Sequence, residues 1–412
     1  RNREILNKAC NDLFPRHCAS RVRSIYIFIL GDRGGPWLIK RICRMQTNSR
    51  PDTRPVQISP QLKSGAVVRP VRNIPPQKAT GKLTGTGFSN VAACLDQSPQ
   101  SMTVLHHAKA VAAGLELPVK LVHVVEATQT GNRLSDPIEW KLKQQIAEEH
   151  LSRIQHNEQD DEMSIDRLLL NGLAGEELPR WARDHDRSVM AMSTRCGLMN
   201  AHLDLPYDAF GSTTQKVLEQ STSSLLLIPP ATPEVGLVSY HQILVPLDGS
   251  ARAESVLPTA VRIARHHHAV LVLVHIVSVP EFVEAAPVDE ITRDLAARLL
   301  EYSERNARTY LTRLESRLYG ESVTIRSAIA SDSDVRDRLL KIAEEQNCHL
   351  IVMAGRGKSG SPKVSCGNVA RYIATHANFP VFMIRGQVGR CAGRRRNEIS
   401  SQGSRLFWNN NK

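Results

Sequence analysis

His241-Gln242-Ile243-Leu244-Val245-Pro246-Leu247-Asp248-Gly249-Ser250 decides the fold, because the chain states it twice. A short apolar run broken by an acid, a glycine and a small hydroxyl reads as a strand ending in a turn and a helix cap. Its counterpart, Leu95-Asp96-Gln97-Ser98, lies 152 residues upstream. The phase then holds without a gap. In both copies a His stands 27 residues after the Asp, inside Leu121-Val122-His123-Val124-Val125 and Leu273-Val274-His275-Ile276-Val277. Leu105/Leu257, Ala108/Ala260 and Ala112/Ala264 keep register between them. A repeat this long means one domain and its duplicate.

The second half of the unit repeats as well. Gly211-Ser212 leads to Leu225–Ile228 as Gly367-Asn368 leads to Val381–Ile384, at an offset of 156. Met190–Ser193 matches Ile351–Ala354 at an offset of 161, so five extra residues sit in the first copy between Gly197 and Phe210. The expected division is a head at 1–86, domains at 88–230 and 238–386, and a tail at 387–412.

The net charge of +12 invites a nucleic-acid reading until it is located. Residues 1–90 hold 17 Lys/Arg against 4 Asp/Glu, and residues 385–412 hold 7 against 1. The repeats between them are therefore acidic, at about −7. Nucleic acid is not the expected partner, and the basic ends read as solvated arms. Pro, Arg, Gln, Ser and Thr dominate residues 47–82, a composition that favours an unpacked chain. The apolar run Ile25–Leu30 is far shorter than the ~20 residues a bilayer span needs, so no membrane partner is expected. The 8 cysteines form no CxxC pair and no spacing shared by the repeats, which suits a reducing compartment.

The second copy is the clearer to read. After the strand through Leu247, Ala253–Ala264 carries apolar residues at helical spacing and Ala269–Val277 is a near-continuous buried-strand pattern. A long amphipathic helix is expected over Asp289–Leu318, with Leu295, Leu299, Leu300, Tyr310, Leu311 and Leu314 as its apolar set. Strands at Val323–Ile329, His349–Met353 and Pro380–Ile384 then alternate with helices at Asp334–Gln346 and Gly367–His376. Five strands alternating with four helices make a parallel, doubly wound, Rossmann-like α/β domain. In such sheets the ligand lies at the carboxyl ends of strands, here Asp248, Ile276 and the loop from Ala354 to Gly360.

That loop reads Ala354-Gly355-Arg356-Gly357-Lys358-Ser359-Gly360, with Gly367-Asn368 beginning the next helix. Bare glycine backbone lets N–H groups approach phosphate, and a helix N-terminus adds donors and a positive dipole end. Taken together, Val245–Ser250, Leu273–Ile276 and the run from Ile351 to Ile384 resemble the universal stress protein family, within the adenine-nucleotide α-hydrolase-like group. The resemblance spans both repeats and implies a tandem two-domain member.

It further implies a cytoplasmic stress-response protein, with ATP or a related adenine nucleotide in the second copy. Asp248 would meet the ribose side, the backbone of Ile276 the adenine edge, and Gly357, Gly360 and Gly367 the phosphates. The family pattern is Gly, two residues, Gly, nine residues, Gly, then Ser or Thr. Here Ala354 replaces the first glycine and Asn368 the hydroxyl, while Gly357, Gly367 and the spacing are kept. The first copy departs further, with Ser193 and Cys196 at the loop glycines and Asp204 and Asp208 in its insertion. It is expected to be mainly a structural and pairing partner.

Competing chemistry is thin. His266-His267-His268 sit consecutively at a helix end, where metal ligands would not converge, so a solvated end is the expectation and no metal is assigned. His123 and His275 read as strand histidines. No nucleophile–base pair is apparent, so no catalytic residue is named. The alternatives kept open are an ATP-cleaving α/β enzyme and a scaffold or regulatory module that binds no nucleotide. The two copies are expected to pack as a pseudo-dimer of separate sheets through Leu225–Ile228 and Val381–Ile384. Those last strands are also the expected surface for homo-oligomers or other protein partners.

Overall fold

The computed structural model describes residues 28–30, 36–38, 87–126, 137–159, 163–194, 210–230, 232, 236–279, 290–358 and 366–385. The chain divides into a unit of residues 1–63 and a unit of residues 64–412. In the first, Phe28–Leu30 (β1) pairs antiparallel with Pro36–Leu38 (β2), a hairpin inside the head expected to be unpacked. Apolar residues flanking a Gly-containing stretch suffice for these two short strands. The Pro- and Arg-rich stretch 47–82 and the tail 387–412 lie outside the described residues.

The second unit runs through the same five-strand series twice, with the helix after the first strand broken into two in the second copy. The first copy comprises Asn90–Cys94 (β3), Gln100–Leu115 (α1), Val119–Val125 (β4), Pro137–Glu158 (α2), Ile165–Asn171 (β5), Ala174–Asp184 (α3), Ser188–Ser193 (β6), Ser212–Gln220 (α4) and Ser224–Ile228 (β7). The second comprises Gln242–Pro246 (β8), Ala251–Glu254 (α5), Leu257–His266 (α6), Val270–Ser278 (β9), Glu290–Leu318 (α7), Thr324–Asp332 (β10), Val335–Glu345 (α8), Leu350–Ala354 (β11), Asn368–His376 (α9) and Val381–Ile384 (β12).

The strand order is β10-β9-β8-β11-β12-β7-β6-β3-β4-β5 in one sheet of ten strands. Within each half every pairing is parallel. At the join, β12 lies antiparallel to β7, with Phe382 opposite Leu226. The expected two separate sheets are therefore one continuous sheet. Strand β7 is paired on both sides, to β6 and β12, and β12 likewise to β11 and β7. This corrects the expected homo-oligomer through the last strands, because their backbone edges are already used within the chain.

Sequence explains why these segments sit centrally. Leu225, Leu226, Leu227 and Ile228 are fully buried, as are Val381, Phe382 and Met383, so both faces of these strands are covered. Helix starts follow local chemistry. Ser250 Oγ accepts from Ala253 N at 3.1 Å ahead of α5, and Asp334 Oδ1 accepts from Arg336 N at 2.9 Å ahead of α8.

One helix departs from expectation. Helix α7 buries Ala307, Leu311, Leu314 and Leu318, but Leu295 is 67 % and Leu299 53 % exposed. A helix of 29 residues is ~43 Å long, whereas the neighbouring nine-residue strand spans ~30 Å. The first turns of α7 therefore overhang the sheet. Among the described residues no helix is long and apolar enough to cross a membrane.

Candidate functional site

Each half has a switch point where chain connections leave in opposite directions, between β8 and β11 and between β3 and β6. This is where a doubly wound sheet leaves a crevice at its carboxyl edge. In the second copy Leu247 N donates to Val274 O at 2.8 Å, aligning the end of β8 with β9. The chain then turns at Gly249, whose φ of +78° suits a residue without Cβ.

That turn presents the Asp248 carboxylate to the loop after β11. Its Oδ1 accepts from Ser250 N at 3.0 Å, and its Oδ2 accepts from Lys358 N at 2.5 Å, although 110 residues separate them in sequence. A Cβ added at Gly357 would overlap Asp248 Oδ2, so any side chain there would displace the Asp248 carboxylate from the loop. Burial raises the Asp248 pKa, but hydrogen bonds from the Ser250 side chain and from the Ser250 and Lys358 amides outweigh it and hold the carboxyl below its usual value. Asp248 is thus an ionised acceptor at neutral pH, suited to hydroxyl or amide donors rather than to acid catalysis.

Gly355 N donates to Ile384 O at 2.8 Å, and Gly367 N donates to Gly355 O at 2.8 Å. These bonds seat the start of α9 directly behind the loop. No side chain caps α9 at Gly367. A Cβ on Gly367 would approach nothing closer than 3.6 Å, so its glycine requirement does not come from packing.

The candidate residues Asp248, Ile276, Ala354, Gly357, Gly367 and Asn368 lie at the carboxyl ends of β8, β9 and β11 and at the start of α9. Gly360 lies outside the described residues. Asp248 touches the loop directly through the Lys358 amide. Ile276 is further out in β9, paired with Ala330.

The first copy builds the same frame and hangs different groups on it. Leu95 N donates to Val122 O at 2.8 Å, Thr194 N to Ile228 O at 2.9 Å, and Gly211 N to Thr194 O at 2.9 Å. Here, however, the Asp points back into its own turn. Asp96 Oδ1 accepts from Ser98 N at 2.9 Å, Ser98 Oγ at 2.5 Å and Ser101 Oγ at 2.6 Å. Burial again raises its pKa, and these hydroxyl and amide donors bring it below the usual value. Beside it opens a cleft of about 740 Å³, lined by Asp96, Val124, Lys143, Ser193, Ser212 and others. Cys196, Asp204 and Asp208 lie outside the described residues.

The strand histidines are placed as anchors. His123 Nδ1 meets Leu95 O at 2.8 Å, tying β4 to the turn after β3. His275 faces the Tyr310 ring edge-on at 5.7 Å. His267, expected in a solvated helix end, instead meets Ala110 O of the first copy at 3.0 Å through Nε2. Among the described residues no cluster of His, Cys, Asp and Glu could hold a metal ion.

Sequence reasoning missed Arg385. This buried residue follows β12 and reaches into the first copy, where Nη2 donates to Leu218 O at 2.8 Å and Ser221 O at 2.6 Å. A Cβ on Gly355 would come within 2.7 Å of its Cγ, so Arg385 also packs under the glycine loop. The signal was a charged residue closing the apolar run Val381–Ile384, but its partner lies across the pseudo-dimer and has no sequence signature.

Comparison with known proteins agrees with this architecture. The model of the "Universal stress protein family" matches residues 87–229 and again 239–385. Universal stress protein MJ0531 of Methanocaldococcus jannaschii is 26% identical over 146 residues, covering 35% of this chain and 82% of its own length. A solved universal stress protein from Archaeoglobus fulgidus is 18% identical with a TM-score of 0.52, covering 73% of this chain and 98% of that one. A universal stress protein solved in complex with cAMP is 17% identical with a TM-score of 0.26, covering 36% of this chain and 98% of that chain. Two tandem matches over most of the chain, on two halves of like topology, have one meaning: the chain belongs to the universal stress protein family.

Proposed function

We propose that this chain is a cytoplasmic stress-response protein that binds ATP or a related adenine nucleotide in its second copy without rapid turnover. The observation that carries the reading is the meeting of Asp248 with the Gly357–Lys358 backbone at the switch point. In the free protein Asp248 Oδ2 holds the Lys358 amide. A ribose hydroxyl donating to Asp248 would take over that oxygen and release the Lys358 N–H toward phosphate. Ligand binding is then an exchange of hydrogen-bond partners within a pre-assembled frame, with Gly367 and Asn368 supplying the helix N-terminus. Ala354 and Asn368 stand where the family pattern has glycine and a hydroxyl, so the affinity expected is modest.

A second reading rests on the first-copy cleft of about 740 Å³, large enough for a small ligand. In that case the ligand sits beside Asp96 rather than Asp248. The deciding measurement is mass spectrometry of small molecules released from the purified chain, followed by calorimetric ATP titration of the parent, Asp248→Ala and Asp96→Ala. Loss confined to Asp248→Ala supports the second copy, and loss confined to Asp96→Ala transfers the site to the first. No released nucleotide and no heat in the parent would leave a protein-binding scaffold.

A further inference from the structure

The two copies meet a second time, away from the β7–β12 join, where α1 crosses α6. Gly114 makes this crossing close, since a Cβ there would lie 3.0 Å from Ile263 Cα. Arg262 Nη2 donates to Leu115 O at 2.8 Å across the seam. Between the helices lies a row of rings. His107 Nδ1 and Tyr240 Oη are 2.9 Å apart, and the Tyr240 ring meets His267 edge-on at 5.0 Å. Tyr240 is 1% and His107 5% exposed. Among the described residues, His107 Nε2 and His106 Nδ1 are buried and meet no hydrogen-bonding group.

We propose that this α1–α6 seam is an acid-sensitive hinge between the two copies, loosening as its buried histidines take up protons while the β7–β12 join holds. The physical reason lies in what surrounds the rings. A second proton on His107 would add a charged donor inside a contact that offers no acceptor at Nε2. From α2, Glu158 is committed elsewhere, 3.1 Å from Lys109 Nζ and 3.6 Å from His106 Nε2. From α6 come cations, not acids: Arg262, which pairs with Glu116 at 3.6 Å, and Arg265, which pairs with Glu321 at 2.5 Å.

Further histidines crowd the same end. His266 meets His267 at 4.9 Å, and His241 ahead of β8 meets His349 ahead of β11 at 5.3 Å. His268, next in the chain, adds to the positive charge around His267. Burial, with the charge of His106, pushes His107 down to about 4. His267 shifts the same way, chiefly through burial, with neighbouring histidines opposing its hydrogen bond to Ala110 O.

The sign follows by linkage. A histidine harder to protonate in the closed seam favours closure fully above its ordinary value near 6.5, and that contribution is lost as pH falls from there toward about 4. Over the full window His107 alone would shift the closing equilibrium by up to about 300-fold.

The test is hydrogen exchange read by mass spectrometry on the full chain, between about pH 7.5 and about pH 4.5. Protection in Gln100–Leu115 and Leu257–His266 is compared with that in Ser224–Ile228 and Val381–Ile384 at each pH, so intrinsic exchange chemistry cancels. The expected result is a loss of seam protection relative to the strands of at least about tenfold, shrinking in His107→Phe and in His107→Gln. The glutamine variant keeps a polar partner for Tyr240 and cannot take the proton, so it decides the matter should the phenylalanine disturb packing. If seam and strands lose protection together in the parent, or if His107→Gln follows the parent's profile, the proposal is overturned.

Discussion

The first and second copies share a hydrogen-bond frame almost atom for atom and differ in where the Asp at its centre points. Asp248 reaches across to Lys358 N, closing the second copy around its glycine loop. Asp96 folds back onto Ser98 and Ser101 and leaves a cleft beside it. The frame is made by backbone, through Thr194–Ile228 in one copy and Gly355–Ile384 in the other, so it survives extensive substitution. What the frame holds is made by side chains and by the absence of Cβ atoms, so it diverges. The lesson is that motif quality and cavity quality are separate properties. The copy that lost the loop glycines still holds a cleft of about 740 Å³.

The largest expected effect breaks the comparison at Gly357. In Gly357→Val the new side chain occupies the place of Asp248 Oδ2, forcing the loop away from β8. Calorimetry should show ATP affinity reduced by about a hundred-fold or more, equivalent to about 3 kcal/mol or more. The corresponding Cys196→Val should leave it within about twofold. Equal losses would mean that the copies are not functionally distinct.

Asp248→Ala comes next, with an expected ten- to hundred-fold weakening, or about 1.5–3 kcal/mol. The same carboxylate predicts a pH profile. Because its pKa is held below the usual value, affinity through this contact should be flat above about pH 5 and fall only as pH drops through the carboxylate range. A decline beginning near neutrality would point to a histidine instead.

A smaller effect sharpens how the copies are joined. Gly114→Ala places a methyl 3.0 Å from Ile263 Cα, and urea unfolding should register about 1–3 kcal/mol of destabilisation. Gly320→Ala, where nothing lies within 4 Å, should stay within about 0.5 kcal/mol. The smallest effect is expected at the α7 overhang. Leu299→Ser should cost under about 0.5 kcal/mol, whereas the buried Leu311→Ala should cost about 2–5 kcal/mol by the same measurement. A large loss at Leu299 would show that its face is covered in solution.

The duplication, the five-strand order of events within each copy and the placing of Asp248 and Gly357 at strand ends were legible in the chain. Each depends on local pattern: apolar runs of strand length, turn residues after them, and a constant offset. Leu295 and Leu299 were misjudged for the same reason, since periodicity marks a face of a helix but not how far the helix outruns the sheet beneath it. His267 was misjudged too, because the sequence shows three adjacent histidines and not the helix from the other copy against which one of them rests.

The sequence by itself determined what each stretch is: strand, turn, helix, and a glycine loop in one copy but not the other. These are properties of neighbours within a few residues, set by side-chain period and backbone freedom. Tertiary structure decided how these stretches meet, atom by atom, including where the sequence had already set β7 near β12 and Asp248 near the glycine loop. The antiparallel join of β7 and β12, the reach of Arg385 to the end of α4, the His107–Tyr240 and His267–Ala110 contacts of the seam and the bond from Lys358 N to Asp248 all link residues more than a hundred positions apart. The contacts between the copies form because apolar strands and helix faces must be covered from both sides, and the duplicated copy is the surface within reach that covers them.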